Sequence, residues 1–416
     1  MRTVLNLLFL SLIFLSGCGI RANTVAAGGI PTPTPFQPRS AQTDSDSLYA
    51  GAAPTPLSLP TITPPPITSI EPTLVQNAEM TPVTLPSPLN PLTGLPASDP
   101  ELLNRRPMAI KVANYPRYIR PQSGLTLADQ VFEYYIEGGL TRFITIFYGN
   151  DSEWVGPVRS GRFFDENIQR MYQSFLVFKF ADPRVLSYFK TTDFADLLVV
   201  PSIGSCPPFQ LLPSRHIEVY NNSYFNTILW RDCIDKENLS NDAPSYRSGI
   251  FDGNYVPQSD LAGGLIYTYY SVDDYHYWSY VPATGVYARY QETDDTRDNK
   301  PEKFAPLVDR VNATAVHAAN VVVLFAYHTF ANNFDADDEV YHIDLTGSGE
   351  AYVFRDGIGM VARWHRTYAN QPLVLTDPVT GAAIYLKPGN TFYEVIGTNS
   401  YVDQDAGEWH FHHTTP

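Results

Sequence analysis

The chain is poor in positive charge. Its 416 residues contain 28 Lys and Arg against 43 Asp and Glu, which gives a formal net charge of −15. A surface of this sign repels the phosphate backbone of DNA and RNA. We therefore expect no nucleic acid among the partners of this protein.

Long apolar runs and metal-binding motifs are also scarce. After the first twenty residues, no apolar stretch approaches the ~20 residues that a membrane-spanning helix needs. The chain has no His-Glu-x-x-His and no Cys-x-x-Cys motif. His342 and Asp344 alternate along one predicted strand, and so do His410 and His412 if the end of the chain is extended, but such pairs are weak signals for a metal. We predict no metal and no cofactor.

The first eighteen residues have the pattern of an export signal. Arg2 precedes an apolar run over residues 5–15, broken only by Asn6 and Ser11, which is too short to span a bilayer. Residues 15–18 (LSGC) resemble the bacterial lipobox, whose cysteine accepts a diacylglyceryl group before cleavage. We expect a signal peptide over residues 1–17 and a lipid on Cys18 that holds the protein on the extracytoplasmic face of the cell membrane. The alternative is an ordinary secretory signal with an incidental cysteine.

Residues 18–88 differ in composition from the rest of the chain. They contain PTPTP at 31–35 and three consecutive prolines at 64–66, with few aromatic residues and no periodicity. Such a segment offers little apolar area to offset the entropy that is lost on ordering. We predict a disordered Pro- and Thr-rich tether, which could carry the folded part well away from the lipid.

The remaining residues are numerous enough for two domains, with a boundary near residue 250. Residues 89–250 combine a strand-like run at 107–112 with a helix-compatible stretch at 161–180. Residues 251–397 contain aromatic β-type runs separated by turns, among them a predicted two-residue type I′ hairpin at 356–357 (DG). The predicted fold class is α+β: a mixed α/β N-terminal domain, then a mainly antiparallel β C-terminal domain, with a tail at 398–416.

Two sets of sequence blocks in this region are similar to one known family. The first set is 90–94 (NPLTG), 106–107 (RP), Asn114, 120–125 (RPQSGL), 128–129 (AD), 137–139 (EGG), 141–142 (TR) and 156–160 (GPVRS). The second set is 344–349 (DLTGSG), 354–357 (FRDG), Trp364 and 387–390 (KPGN). In this order the blocks resemble the YerB-like bacterial lipoproteins over about residues 89–397. The resemblance implies a membrane-anchored protein with paired N- and C-terminal domains of unknown function, and no settled activity.

The segment at 137–139 suggests a cluster of carboxylates. If its two glycines form a two-residue hairpin turn, Glu133, Glu137 and Arg142 share one face of the ribbon. One interpretation is a polar cleft in which these acids, together with Asp129, perform acid–base catalysis. The other is that Arg142 pairs with one of the acids and neutralises a half-buried sheet.

A second candidate site precedes the predicted helix at 161–180. Arg159, Ser160, Arg162 and the N–H groups of the first helical turn could converge on one anion, and guanidinium groups bind carboxylate or phosphate in a bidentate manner. Arg142 belongs to the same predicted ligand-binding set. The alternative is that Ser160 caps the helix and the arginines bind acids of their own domain.

Three further residues complete the predicted ligand-binding set. Arg120, Gln122 and Ser123 lie in a loop that Pro121 and Gly124 shape. Gln122 and Ser123 either bind a ligand or satisfy backbone groups of a tight turn. A serine nucleophile needs a base within reach, and the matching blocks of the first domain contain no histidine, which argues against a serine hydrolase.

Two cysteines are left once Cys18 carries a lipid. Cys206 and Cys233 are candidates for one disulfide, because the predicted compartment allows oxidation. The alternative is a pair of buried thiols that behave as hydrophobic side chains.

Two classes of function are open from the sequence. One is a non-enzymatic surface module that binds a cell-envelope glycan, peptide or protein through aromatic and arginine contacts. The other is an envelope hydrolase or transferase that uses Glu133, Glu137 and Asp129. An enzyme requires an open cleft with unpaired carboxylates, whereas a binding module would have these groups paired and an aromatic patch exposed.

Replacing Cys18 tests the predicted anchor. Cys18→Ala removes the thiol that accepts the lipid, so the protein should move from the membrane fraction to the soluble fraction. Mass spectrometry of the unaltered protein should show a mature N-terminus at Cys18 with added acyl mass. Membrane retention of the variant, or a mature N-terminus elsewhere without acyl mass, would contradict the anchor.

Overall fold

The structure is a computed structural model that describes residues 88–213, 217–246, 250–331 and 338–416. The predicted signal peptide, Cys18 and the predicted tether up to residue 87 lie outside these residues. Within the described ranges, no helix combines the length and apolar character that crossing a bilayer requires.

The described residues contain few helices and many strands. The helices are α1 (Asp165–Tyr172), α2 (Pro183–Phe189) and α3 (Thr227–Glu237), with short 3₁₀ turns at Pro100–Asn104, Arg117–Ile119, Ala195–Leu197, Val219–Asn221 and Arg297–Asn299. The strands before α3 are β1 (Met108–Ala113), β2 (Gln130–Tyr135), β3 (Thr141–Phe147), β4 (Phe175–Val177), β5 (Leu198–Val199), β6 (Phe209–Gln210) and β7 (Tyr224–Phe225). The strands after α3 are β8 (Leu265–Ser271), β9 (Asp274–Val281), β10 (Val286–Glu292), β11 (Phe304–Pro306), β12 (His317–Ala318), β13 (Asn320–Phe330), β14 (Tyr341–Asp344), β15 (Gly347–Arg355), β16 (Ile358–Arg366), β17 (Val374–Thr376), β18 (Ala383–Ile384), β19 (Thr391–Gly397), β20 (Tyr401–Asp405) and β21 (Glu408–His412).

The larger sheet contains strands from both predicted domains. Its order is β18-β17-β16-β15-β13-β19-β2-β3-β1-β4-β5, and β14 also pairs with β13. Strand β19 lies between β2 and β13 and runs parallel to both, which places Glu394 level with Glu133 on β2. The segments on either side of residue 250 therefore complete one continuous sheet.

The smaller sheet comes entirely from the second half of the chain. Its order is β11-β10-β9-β8-β21-β20, with β12 beside β10. The predicted tail supplies β20 and β21, and β21 runs parallel to β8. Trp278 of β9 packs edge-on against Phe392 of β19, with ring centroids 4.7 Å apart. The inner faces of the two sheets thus meet in a shared core.

This architecture confirms the predicted α+β class. The predicted two-residue hairpin is also confirmed, because Arg355 pairs with Ile358 across it. Its two turn residues, Asp356 and Gly357, have φ values of 53° and 76°, as a type I′ turn requires.

The helix predicted over residues 161–180 is wrong in extent. Helix α1 begins at Asp165 and ends at Tyr172, where Gln173 takes a left-handed φ of 48°. The following residues form β4, which pairs in parallel with β1. A short apolar run such as residues 175–177 is compatible with a buried strand or with a helix. Here it forms a strand, because it pairs with the edge of β1.

A disulfide ties the segment before β6 to helix α3. Cys206 and Cys233 are bonded, with Cα atoms 5.4 Å apart and a sequence separation of 27. Closing a loop of this length removes about 3.5 kcal/mol of conformational entropy from the unfolded chain.

Removing the disulfide should therefore lower stability. The double variant Cys206→Ala, Cys233→Ala is expected to lose about 3 kcal/mol of unfolding free energy, measured by denaturant unfolding of the chain that carries Cys18→Ala. A reducing agent should destabilise the parent and leave the double variant unchanged. Equal stability of parent and variant under oxidising conditions would show that the bond is not formed.

Candidate functional site

The hairpin between β2 and β3 determines which polar side chains meet. Ile136 donates its N–H to the carbonyl oxygen of Leu140 over 2.9 Å, so the loop contains three residues rather than two. Gly138 and Gly139 have φ values of 64° and 74°, a region that glycine enters at little cost.

This loop shifts the strand pairing by one residue from the prediction. Arg142 is level with Tyr134, and Glu133 is level with Phe143. Neighbouring residues of a strand point to opposite faces, so Glu133 and Arg142 lie on opposite sides of the sheet. The prediction that they share a face is wrong.

The three predicted acids share no hydrogen-bond partner. Asp129 accepts from the side chain of Asn90 at 2.8 Å and from the backbone N–H groups of residues 148–149 at 2.6 and 2.9 Å. Burial raises the pKa of Asp129 to about 6. Glu137 pairs with Arg162, whose Nε donates to it over 2.8 Å. These acids are held by separate partners and do not form the predicted cluster.

Glu133 belongs to a buried polar network between the two sheets. It lies beside Glu394 on the large sheet, and neither carboxyl group is exposed to solvent. Arg289 of β10 lies between them: its Nη2 donates to Glu133 Oε2 over 2.6 Å and its Nη1 to Glu394 Oε1 over 3.3 Å. The indole of Trp278 and the Nε2 of His276 also contact Glu394 Oε1, at 2.9 and 3.0 Å. Charged and polar groups thus hold the sheets in one relative position.

The network contains more carboxyl groups than positive charges. Burial and the adjacent Arg289 lower the pKa of His276 to about 3, which leaves the imidazole neutral. Burial also raises the pKa of Glu394. The guanidinium of Arg289 faces three carboxyl groups, those of Glu133, Glu394 and Asp274.

The hydroxyl of Thr141 shows where the network holds a proton. Its Oγ1 lies 2.6 Å from Glu133 Oε1 and 2.7 Å from Asp274 Oδ2, and it accepts from Asn114 Nδ2 over 2.9 Å. A hydroxyl group has one hydrogen to donate, so one of the two carboxyl groups must itself donate to Thr141. Burial and the charge of Glu133 raise the pKa of Asp274 to about 6, so Asp274 can supply this proton below about pH 6.

Glu133, Asp274 and His276 are also the one group of three metal-type ligands found within the described ranges. Their ligating atoms lie within 4.8 Å of one another. Arg289 and Thr141 direct hydrogen-bond donors at the same carboxyl oxygens, and donors of this kind disfavour a cation. The arrangement therefore fits a shared proton better than a metal ion.

The predicted loop residues Arg120, Gln122 and Ser123 lie at the edge of this network. Arg120 Nη2 donates to Glu292 Oε1 over 2.7 Å, and its Nε donates to the carbonyl oxygen of Asn114 over 3.0 Å. Gln122 Nε2 donates to Asn114 Oδ1 over 3.2 Å, and Ser123 forms a backbone bridge. Gln122 and Ser123 are 0% exposed, so neither reaches a ligand on the surface in this conformation.

The other face of β3 carries a cluster of arginines. Burial and the positive charges of Arg159 and Arg162 lower the pKa of Arg142 to about 9. Arg142 is 6% exposed and Arg159 is 9% exposed. Arg142 Nη1 donates to the carbonyl oxygen of Thr141 over 2.9 Å, and the Arg159 guanidinium packs 4.4 Å from the ring centre of Tyr220. Neither of these two arginines forms an ion pair with a carboxylate in the described part of the chain, and the Nε of each has no acceptor there.

An open cleft of about 620 Å³ adjoins this cluster. Ser160, Arg162 and Tyr220 form part of its wall. The rest of the lining is Glu137, Gly138, Ala181, Asp182, Arg184, Asp338, Glu339 and Val340. Of the predicted residues Arg142, Arg159, Ser160 and Arg162, Ser160 and Arg162 line the cleft. Arg159 contacts the lining residue Tyr220, and Arg142 lies near Arg159 and Arg162. Arg120, Gln122 and Ser123 lie elsewhere.

The start of helix α1 is not available to an anion. The N–H groups of residues 165–167 donate to the carbonyl oxygens of residues 162–164. Phe164 occupies the N-cap position, and no side chain caps the helix there. The predictions that Ser160 caps this helix and that its first N–H groups bind an anion are therefore wrong.

Sequence reasoning missed most of the buried network. Asp274, His276 and Trp278 alternate along β9, and Arg289 and Gln291 alternate along β10, which is the pattern of one inward face. This alternation of polar residues within aromatic runs is a sequence signal that these side chains share one buried face. Tyr220 lies in an irregular segment with no periodicity to mark it.

The raised pKa of Asp274 makes stability depend on pH. Folded Asp274 keeps its proton where the unfolded chain has released it, because its pKa rises from 3.8 to about 6. This contribution favours folding below pH 4, and about 3 kcal/mol is lost as the pH rises through 6. Asp274→Asn should remove it, so the stability difference between variant and parent should change by about that amount between pH 4 and pH 7.

The exposed Asp260 provides the control for this measurement. Asp260→Asn should leave the pH profile of the unfolding free energy unchanged. Parallel profiles for Asp274→Asn and the parent would contradict a proton on Asp274.

Comparison with known protein families finds two domain matches in consecutive parts of this chain. The N-terminal domain of the protein family of unknown function DUF3048 matches residues 92–240, and the C-terminal domain of that family matches residues 266–393. The chain is 45% identical over 87 residues to "Putative lipoprotein YerB" of Bacillus subtilis (strain 168), an alignment that covers 21% of this chain and 26% of that relative. The alignment thus spans about a quarter of the curated relative.

A solved structure has the same fold. The crystal structure of YerB protein from Bacillus subtilis superposes with a TM-score of 0.59 at 22% identity, over 74% of this chain and 96% of that chain. The two domain matches follow one another in the order found in the family. The chain therefore belongs to the DUF3048 family of proteins of unknown function, with both its N-terminal and its C-terminal domain.

Proposed function

We propose that this protein is a lipid-anchored binding module on the extracytoplasmic face of the membrane, and that it takes an anionic cell-envelope ligand beside Arg142 and Arg159. The lipobox-like residues 15–18 and the similarity to a protein named as a lipoprotein support the anchor. The observation that supports the ligand is the pair of buried guanidinium groups without a described carboxylate partner.

Such an arrangement costs free energy in the absence of a ligand. Taking a charged group out of water is unfavourable unless an opposite charge and hydrogen bonds replace the solvent. Arg142 lies near two like charges, and its lowered pKa reflects that repulsion as well as burial. An anion in the adjoining cleft would offset both, because it would place a negative charge beside the two guanidinium groups.

The same geometry gives less support to the hydrolase or transferase. Glu133 is paired with Arg289, Glu137 with Arg162, and Asp129 with backbone N–H groups. Acid–base catalysis needs a carboxyl group that can reach a substrate. The predicted acids are instead bound to their own neighbours, as a binding module would have them.

Replacing the two arginines separates binding from folding. Arg142→Met should raise the unfolding temperature of the ligand-free protein, because it removes a buried charge and keeps the volume. The same variant should lose the stabilisation that inorganic phosphate or acetate gives at constant ionic strength. Arg159→Ala should weaken binding of the same anions by at least about tenfold, as expected for a lost charged hydrogen bond.

An exposed arginine of helix α3, Arg231, provides the matched control. Arg231→Ala should leave both the unfolding temperature and the anion-dependent shift unchanged. If Arg142→Met and Arg159→Ala lower stability as much as they lower anion binding, the arginines have a structural role and the proposal fails.

A further inference from the structure

An aromatic surface lies next to the arginine cluster. Tyr220 is 52% exposed and Phe180 is 56% exposed, although large aromatic side chains favour burial. Their rings are stacked, with centroids 5.8 Å apart and an interplanar angle of 18°. Tyr220 also lies over Arg159, so the aromatic surface and a buried positive charge are in direct contact.

The backbone at Phe180 is held in an unfavourable conformation. Its φ is 66°, in the left-handed region that bulky residues rarely enter. The carbonyl oxygen of Phe180 accepts from the N–H of Gly161 over 2.9 Å, which fixes this segment beside the arginine loop. A strained residue that places an aromatic ring in solvent is a mark of a functional surface.

Carboxylates surround the rest of the cleft. Glu137, Asp182, Asp338 and Glu339 are in its lining, and Arg162 and Arg184 orient the first three. Acids in these positions repel a ligand with many negative charges. They accept hydrogen bonds from hydroxyl groups, so they suit a ligand with one anionic group and several hydroxyls.

We infer that the ligand of this cleft is an acidic saccharide. Its single carboxylate or phosphate group binds beside Arg142 and Arg159, its ring packs on the Tyr220–Phe180 surface, and its hydroxyls donate to the carboxylates of the rim. Sugar rings present a flat array of C–H groups that packs well on aromatic faces, while a few polar groups fix the orientation. This inference rests on the proposed anion site and adds the chemical class of its ligand.

Saturation-transfer NMR on the full chain in detergent tests the inference with small probes. Glucuronic acid and glucose 6-phosphate distinguish a sugar with a carboxylate from a sugar with a phosphate. Glucose tests the sugar without an anionic group, and acetate and inorganic phosphate test the anionic groups without a sugar. We expect at least one acidic sugar to bind about fivefold or more tightly than its anion alone, with saturation of the ring protons.

Two variants show whether the aromatic surface supplies this gain. Phe180→Gly removes the ring and at the same time relieves the positive φ, so the variant should remain folded, which its thermal unfolding curve checks. Phe180→Gly and Tyr220→Ala should bring the affinity for the acidic sugar down to that of the anion alone and leave acetate and phosphate binding unchanged. A Tyr188→Ala variant, which removes another partly exposed ring, should bind all probes as the parent does.

The binding results distinguish the saccharide inference from the proposed anion site. If acetate or phosphate binds as tightly as the acidic sugars, the saccharide inference is overturned and the anion site stands. If an acidic peptide such as acetyl-alanyl-glutamate binds more tightly than every sugar, the inference is likewise overturned. If no anion binds the parent protein at all, both the inference and the proposed function fail.

Discussion

The fold depends on the placement of one guanidinium group. Arg289 lies on the small sheet and contacts two carboxyl groups of the large sheet, Glu133 and Glu394. All three are removed from water, and a buried charge that loses its partner costs several kcal/mol. The contact therefore requires β2 and β19 to be neighbours in one register and the face of β10 to be directed at them. Strand order, strand register and sheet packing are linked through this one interaction.

Strand β3 separates two polar regions of opposite character. Thr141 points to the network between the sheets, where a shared proton completes the hydrogen bonds. Arg142, the next residue, points to the other face, where Arg142 and Arg159 form no ion pair with a carboxylate among the described residues. Satisfied polar groups in a core stabilise a unique arrangement, whereas unsatisfied charges at a cleft favour a ligand. Under the proposed function, adjacent residues of one strand therefore serve structure and ligand binding separately.

Local patterns were sufficient for much of the fold and for part of the site. The alternation of β8 to β10 and the Asp356-Gly357 turn were visible in the sequence, because strand faces and type I′ turns depend on neighbouring residues. The loop length of the hairpin at 137–139 was not, since two glycines permit loops of two or three residues, and one extra residue puts the side chains of one strand on the opposite face. The pairing of β2 with β19 joins residues that are far apart in the chain, and no local signal encodes it. For the same reason the partners of Glu133 could not be named, whereas Arg159 and Arg162 were expected to lie together because they are three residues apart in one loop.

The position of β19 also affects the order in which the chain can fold. Strand β2 is synthesised before β19, the neighbour that covers its second edge, and strands β3 to β18 lie between them in the chain. Until β19 is made, an unpaired strand edge is exposed, and such edges readily pair with other chains. Parallel pairing between distant segments is also slow, because a long loop must close before any contact forms. The edge of β2 is therefore open to pairing with other chains until β19 has been made.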